Sequence, residues 1–210
     1  MSVSGPGRKP ARVALWLVGA TALYNLVEAG VSVGAGLEAR SIALVGFGLD
    51  SLIELAAAVV LLWRLLAEAR GGLAQQVESR ERKARLFVGV TFLALAVYVV
   101  VQGVLVLLGA KHPEESLVGI VLAALSLVIM PLLAWAKLRT ASRLGSEALR
   151  AEAKETVACA WLSLALLAGL VLNALAGWWW ADPVAALVMV PWLVREGVEG
   201  VRGEEREEAD

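Results

Sequence analysis

One cysteine and one histidine occur in 210 residues. A lone thiol, Cys159, rules out an intrachain disulfide framework. A lone imidazole, His112, lies outside the apolar runs, so Cys159 has no histidine base within any of them. The H-E-x-x-H pattern of a zinc protease is missing too, which disfavours an intramembrane enzyme. Lysine and arginine number 19 against 20 aspartate and glutamate, a net charge of -1 that is uninformative by itself, and no nucleic-acid partner is expected. No polar stretch is long enough for a separate soluble domain.

What the chain has is apolar length. Hydrophobic residues make up 59% of it and the mean hydropathy is +0.73, well above an ordinary soluble domain. Six runs approach the roughly 20 residues needed to cross a bilayer. They are Val13–Leu37, Ser41–Leu66, Leu86–Leu108, Leu117–Leu138, Thr156–Trp179 and Pro183–Val194. The first is too long for a cleaved signal peptide, and a second run follows it directly. Lysine and arginine then orient the chain. Seventeen fall at the N-terminus, in the second and fourth connections and in the tail, against Arg40 and Lys111 on the opposite side. By the positive-inside rule both termini face the cytoplasm. Trp178, Trp179 and Trp180 then sit at the outer interface, where indole rings anchor helix ends. The expected fold is all-α and integral to the membrane, a six-helix multi-pass bundle in the cell membrane. Its organisation reads as a cytoplasmic segment over 1–12, a transmembrane domain over 13–201 and a solvated charged tail over 202–210.

The second and fifth runs resemble one another at an offset of 105 residues. Ser41, Ala43, Leu44, Asp50, Ser51 and Glu54 fall on Ser146, Ala148, Leu149, Glu155, Thr156 and Cys159. Both fit S-x-A-L-x5-acid-[Ser/Thr]-x-x-ligand. The topology runs these two spans in opposite senses, as an inverted repeat would, with a substrate site expected where the halves meet.

Residues four apart share a helix face, one turn apart. Asp50 and Glu54 therefore point one way, and Glu155 and Cys159 likewise. Opposed, these faces offer three carboxylates and a thiol. An ionised carboxylate in hydrocarbon costs several kcal/mol, so it persists only when paired, protonated, hydrated or bound to a metal. No lysine or arginine stands among the four, and Lys154 points elsewhere. A divalent cation is the economical neutraliser. Protonated acids hydrogen-bonded to Ser51 or Thr156 are the alternative, and Cys159 by itself would be inert packing. Glu155 lies nearer the cytoplasmic end of its run than Asp50 does, which a wet vestibule would reconcile. Glu152 and Lys154 read as snorkelling interface residues.

With these motifs the chain resembles the cation diffusion facilitators, which export divalent metals. The likeness runs from about Val13 to Val201. It rests on SIALVGFGLDSLIE, on SEALRAEAKETVACAWLS and on WADPVAALVM, similar to the family's A-D-P-x-x-A-L. The resemblance implies six spans with both termini inside, a homodimer and exchange of metal for protons. It places the intramembrane site on Asp50, Glu54, Glu155 and Cys159. Glu155 stands where the family usually has histidine, and Cys159 where it has aspartate. The thiol favours zinc, with cobalt, cadmium and iron(II) as further cargo, whereas three carboxylates favour manganese. No prosthetic group is expected. Typical members continue into a cytosolic domain after the sixth span, and this chain reads as a short member without it. The rival reading is a membrane scaffold or metal-sensing membrane protein that transports nothing.

Other polar residues carry lesser expectations. Asn25 and Glu28 in LYNLVEAG are further candidate ligands, and Glu28 is equally a proton carrier or a structural partner of a neighbouring helix. Gly30 and Gly34 would permit close helix approach. Gln102 would hydrogen-bond between helices. Pro131 and Pro191 would kink their spans. Asp182, before Pro183, would cap its own helix. His112 belongs to a solvated loop.

Overall fold

The computed structural model describes residues 8–69, 74–109 and 112–208. Among them are six helices and no strand: α1 (Arg8–Ala39), α2 (Ile42–Ala69), α3 (Ala74–Leu107), α4 (Leu117–Leu144), α5 (Glu147–Ala176) and α6 (Ala181–Glu208). Helices are what apolar runs of this length form in lipid, because backbone groups there must be satisfied within the segment.

The boundaries follow from cap chemistry. Ser116 and Ser146 accept hydrogen bonds from the amides three residues on, Gly119 at 3.1 Å and Leu149 at 3.3 Å. Ser41 does the same for Leu44 at 3.0 Å. The S-x-A-L half of the repeat is therefore a helix start, with the serine as N-cap and the leucine fully buried in both copies. Gly145 and Gly177 end α4 and α5 in the left-handed region, at φ of 64° and 66°, where a side chain is disfavoured. Arg40 makes the same turn between α1 and α2 at φ 54° without that freedom.

Three connections meet at one end of the bundle. The Glu114 amide donates to Ala39 O at 2.7 Å, and Asn173 Nδ2 donates to Pro113 O at 3.4 Å. Ser41 Oγ donates to Asp182. The start of α2 thus lies beside the finish of α5, and the two helices run in opposite senses, as expected of the repeat. Asp182 also accepts from the amides of Ile42 at 3.0 Å and Ala43 at 3.5 Å. It caps α2, not its own helix: its carboxylate lies next to the unpaired amides that α2 presents where the chain turns. Nearby, Arg40 pairs with Glu114 at 3.1 Å, and exposed His112 stacks on Trp179 with centroids 4.2 Å apart. Trp178 and Trp180 stack on each other beside them.

Close packing arises at other glycines than those expected. Gly30 and Gly34 have open space around them. On α1 they face away from α2. The close approach of α1 and α2 is instead at Gly48, where a Cβ would lie 2.8 Å from Ser32 and Val33 side chains. The α3–α6 crossing is similarly tight at Gly89, against the Gly197 and Gly200 backbone. Pro131 and Pro191 lie inside α4 and α6, which continue through them.

Five of the six helices are long and apolar enough to cross a membrane; α6 is not. Asp182 and Arg195 confine its apolar part to Pro183–Val194, about 18 Å of helix against a hydrocarbon core near 30 Å. It nonetheless buries Ala185, Ala186, Met189 and Leu193 in the central core with Phe47, Val99, Met130 and Leu166. α6 stays helical to Glu208, through most of the segment read from sequence as a solvated charged tail.

Candidate metal centre

The inner face of α2 carries Asp50 and, one turn on, Glu54; both are buried. The inner face of α5 carries Glu152, Thr156, Cys159 and Ser163 at helical spacing, all buried. Where these faces meet, ligand atoms of Asp50, Glu54 and Cys159 lie within 4.8 Å of one another. Two donors on one zinc ion, each about 2.0–2.3 Å from it, sit no more than about 4.5 Å apart. Small side-chain rotations would bring all three onto one ion.

The oxygens around this point are under-used. Among the described residues Asp50 Oδ2, Asn25 Oδ1 and Glu28 Oε1 are buried without a hydrogen-bond partner. A buried oxygen in that state is expensive. Several within one region suit a cation better than they suit packing. Asn25 Nδ2 donates to Glu54 Oε2 at 3.0 Å and so orients that carboxylate from α1. Glu28, also on α1, accepts from Ser51 Oγ at 2.9 Å. The hydroxyls of Tyr24 and Ser126 stand beside Glu28 without strict hydrogen-bond geometry. Ser51 is thus engaged with Glu28 and the Phe47 carbonyl, not with Asp50.

Glu155 stands outside the group of three. It lies to one side of the α5 stripe, half-buried, and lines a cavity of about 380 Å³ with Arg150, Lys154, Arg195, Glu196 and Glu199. This polar cavity opens at the end of the bundle where α5 begins. At the cavity's outer part, burial and then the neighbouring Glu199 push the Glu196 carboxyl above its ordinary range, against the pull of Arg195.

A model of the cation efflux transmembrane domain matches residues 18–202. The chain belongs to the cation efflux family. An uncharacterized transporter of Synechocystis sp. is 28% identical over 166 residues, which cover 77% of this chain and 53% of that protein. The chain thus spans about half the length of the curated relative it matches. As a member of this family with five apolar membrane-length helices, it is a multi-pass membrane protein.

One residue of this cation efflux protein escaped sequence reasoning. Lys137 counts as a cytoplasmic charge by its place after the fourth apolar run, yet its side chain is fully buried. Its Nζ donates to Glu152 Oε1 at 2.6 Å and to Thr156 Oγ1 at 2.9 Å. Glu152 is correspondingly no snorkelling surface group. The expectation of a site without a neighbouring cation is corrected, since the Lys137 ammonium bonds Thr156, about one turn from Cys159 on the same face of α5. The signal available in the sequence was the spacing of Glu152 from Thr156 and Cys159, which puts it on the inner stripe. Nothing local to Lys137 announced its partner on the next helix.

Proposed function

We propose that this chain exports a divalent metal cation from the cytoplasm, zinc first, in exchange for protons. The observation that carries this reading is the buried convergence of Asp50, Glu54 and Cys159, with unpartnered oxygens around it. Glu155 completes the donor set from the cavity side, and Asn25 and Glu28 support it from α1. The thiolate selects zinc over manganese, with cadmium, cobalt and iron(II) as further cargo. The working unit is a homodimer, the chain's termini face the cytoplasm, and the chain performs no catalysis.

Proton coupling follows from the donor types. Carboxylates and a thiol hold a metal only when deprotonated, so loading releases protons and protonation expels the cargo. The opposed senses of α2 and α5 suit a site that opens to each side in turn. The cavity lined by Glu155 and Glu196 serves as the vestibule on the loading side.

The test uses the purified chain in proteoliposomes. An imposed proton gradient is expected to drive zinc flux, and added zinc to move protons the opposite way. Zinc flux indifferent to the proton gradient would leave a uniporter. Zinc binding without flux would leave a sensor.

A further inference from the structure

We propose that Lys137 is a resident counter-cation of the metal site, one whose charge weakens the grip on the metal enough for it to leave. The inference rests on the metal reading of Asp50, Glu54 and Cys159. Its own ground is the placement of one ammonium group.

On α5 the polar stripe runs from Glu152 through Thr156 to Cys159. At about 1.5 Å of rise per residue, Thr156 lies some 4.5 Å along the axis from Cys159, and Glu152 some 10 Å. Lys137 Nζ bonds both Glu152 and Thr156. The ammonium therefore lies between the Glu152 carboxylate and the site. The pair is neutral as a whole, but its positive end is the nearer one. A dication at Asp50, Glu54 and Cys159 would meet that positive end across buried, water-poor space, where charges are poorly screened. Three anionic ligands alone would hold a soft dication tightly and release it slowly. A fixed positive charge beside them lowers the affinity and speeds release.

A mere strut between α4 and α5 would have no need of charge in this place. A neutral hydrogen-bonding pair could tie the helices equally well, since a buried ion pair is seldom worth more than its uncharged replacement. The other buried polar ties of this region are uncharged on at least one side, such as Asn25 to Glu54 and Ser51 to Glu28.

The experiment measures zinc binding and zinc flux for the full chain in lipid nanodiscs and proteoliposomes. The variants are Lys137→Gln/Glu152→Gln, which keeps a neutral tie, Lys137→Arg, which keeps the charge, and Asp50→Ala. The double variant is expected to bind zinc at least fivefold tighter and to turn over correspondingly more slowly. Lys137→Arg should stay within twofold of the native chain in both. Unchanged or weaker zinc binding by the double variant overturns the proposal and leaves the pair as a strut. Native binding that Asp50→Ala does not weaken overturns the metal reading itself, and this inference with it.

Discussion

Two groups of buried polar residues meet along the inner face of α5, one joined to α4 through Lys137 and the other to α2 through Asp50 and Glu54, and their charges are balanced differently. At Lys137, Glu152 and Thr156 opposite charges are paired, the Lys137 ammonium donating at 2.6 and 2.9 Å, although Glu152 Oε2 has no hydrogen-bond partner of its own. At Asp50, Glu54 and Cys159 three acidic groups crowd together, and the Asp50 Oδ2 oxygen is left without a partner. The first group behaves as a protein interior is expected to, pairing its charges when it buries them. The second does not, and a group that is costly as it stands is what the proposed cargo would stabilise. The contrast is between acidic groups balanced by a lysine of the chain and acidic groups that are not.

Breaking each group in turn should give opposite signatures. Asp50→Ala is expected to reduce metal flux about 100-fold or more, since a ligand matters at least as much as the outer contacts whose loss costs 10–100-fold. Its thermal unfolding in detergent, without metal, should hold steady or rise, because an unpaired buried carboxylate has been removed. A large drop in unfolding temperature would mean Asp50 is structural and would erase the contrast. Lys137→Met should have the opposite effect on stability. It strands Glu152, and breaking one side of a buried pair costs about 3–5 kcal/mol. The unfolding temperature in detergent is the measurement, and an unshifted value would show that Glu152 had found another partner.

Finer changes sharpen the cargo side. Asn25→Ala removes the donor that orients Glu54 and should weaken zinc binding about tenfold, while the preference for zinc over manganese stays the same. Calorimetric titration with both ions checks this. A changed preference would make Asn25 a ligand. Cys159→Ser should lower the zinc-to-manganese affinity ratio about fivefold, because it exchanges the one soft donor for a hard one. An unaltered ratio in competition binding would return Cys159 to packing and leave the carboxylates as the donors.

Apolar length and the absence of a disulfide framework determined the all-helical, multi-pass fold from the sequence alone, since lipid admits few other ways of satisfying a backbone. Period-four spacing determined which residues share a face, and so paired Asp50 with Glu54. The offset between Ser41 and Ser146 disclosed the repeat, and the serine caps explain half of its motif. Spacing within a helix says nothing about rotation relative to a neighbour. That is why Glu155, matched to Asp50 by register, lines the cavity beside Glu196 while Cys159 alone reaches the two α2 carboxylates. The same limit hid the Asp182 cap of α2, 141 positions from Ser41 in the chain, and the open faces of Gly30 and Gly34. Lys137 shows it most fully. Its neighbours in the chain are those of a helix end at the bilayer surface, and only the packing of α4 on α5 turned its side chain inward to Glu152, because a long flexible amine goes where a buried carboxylate lowers its energy.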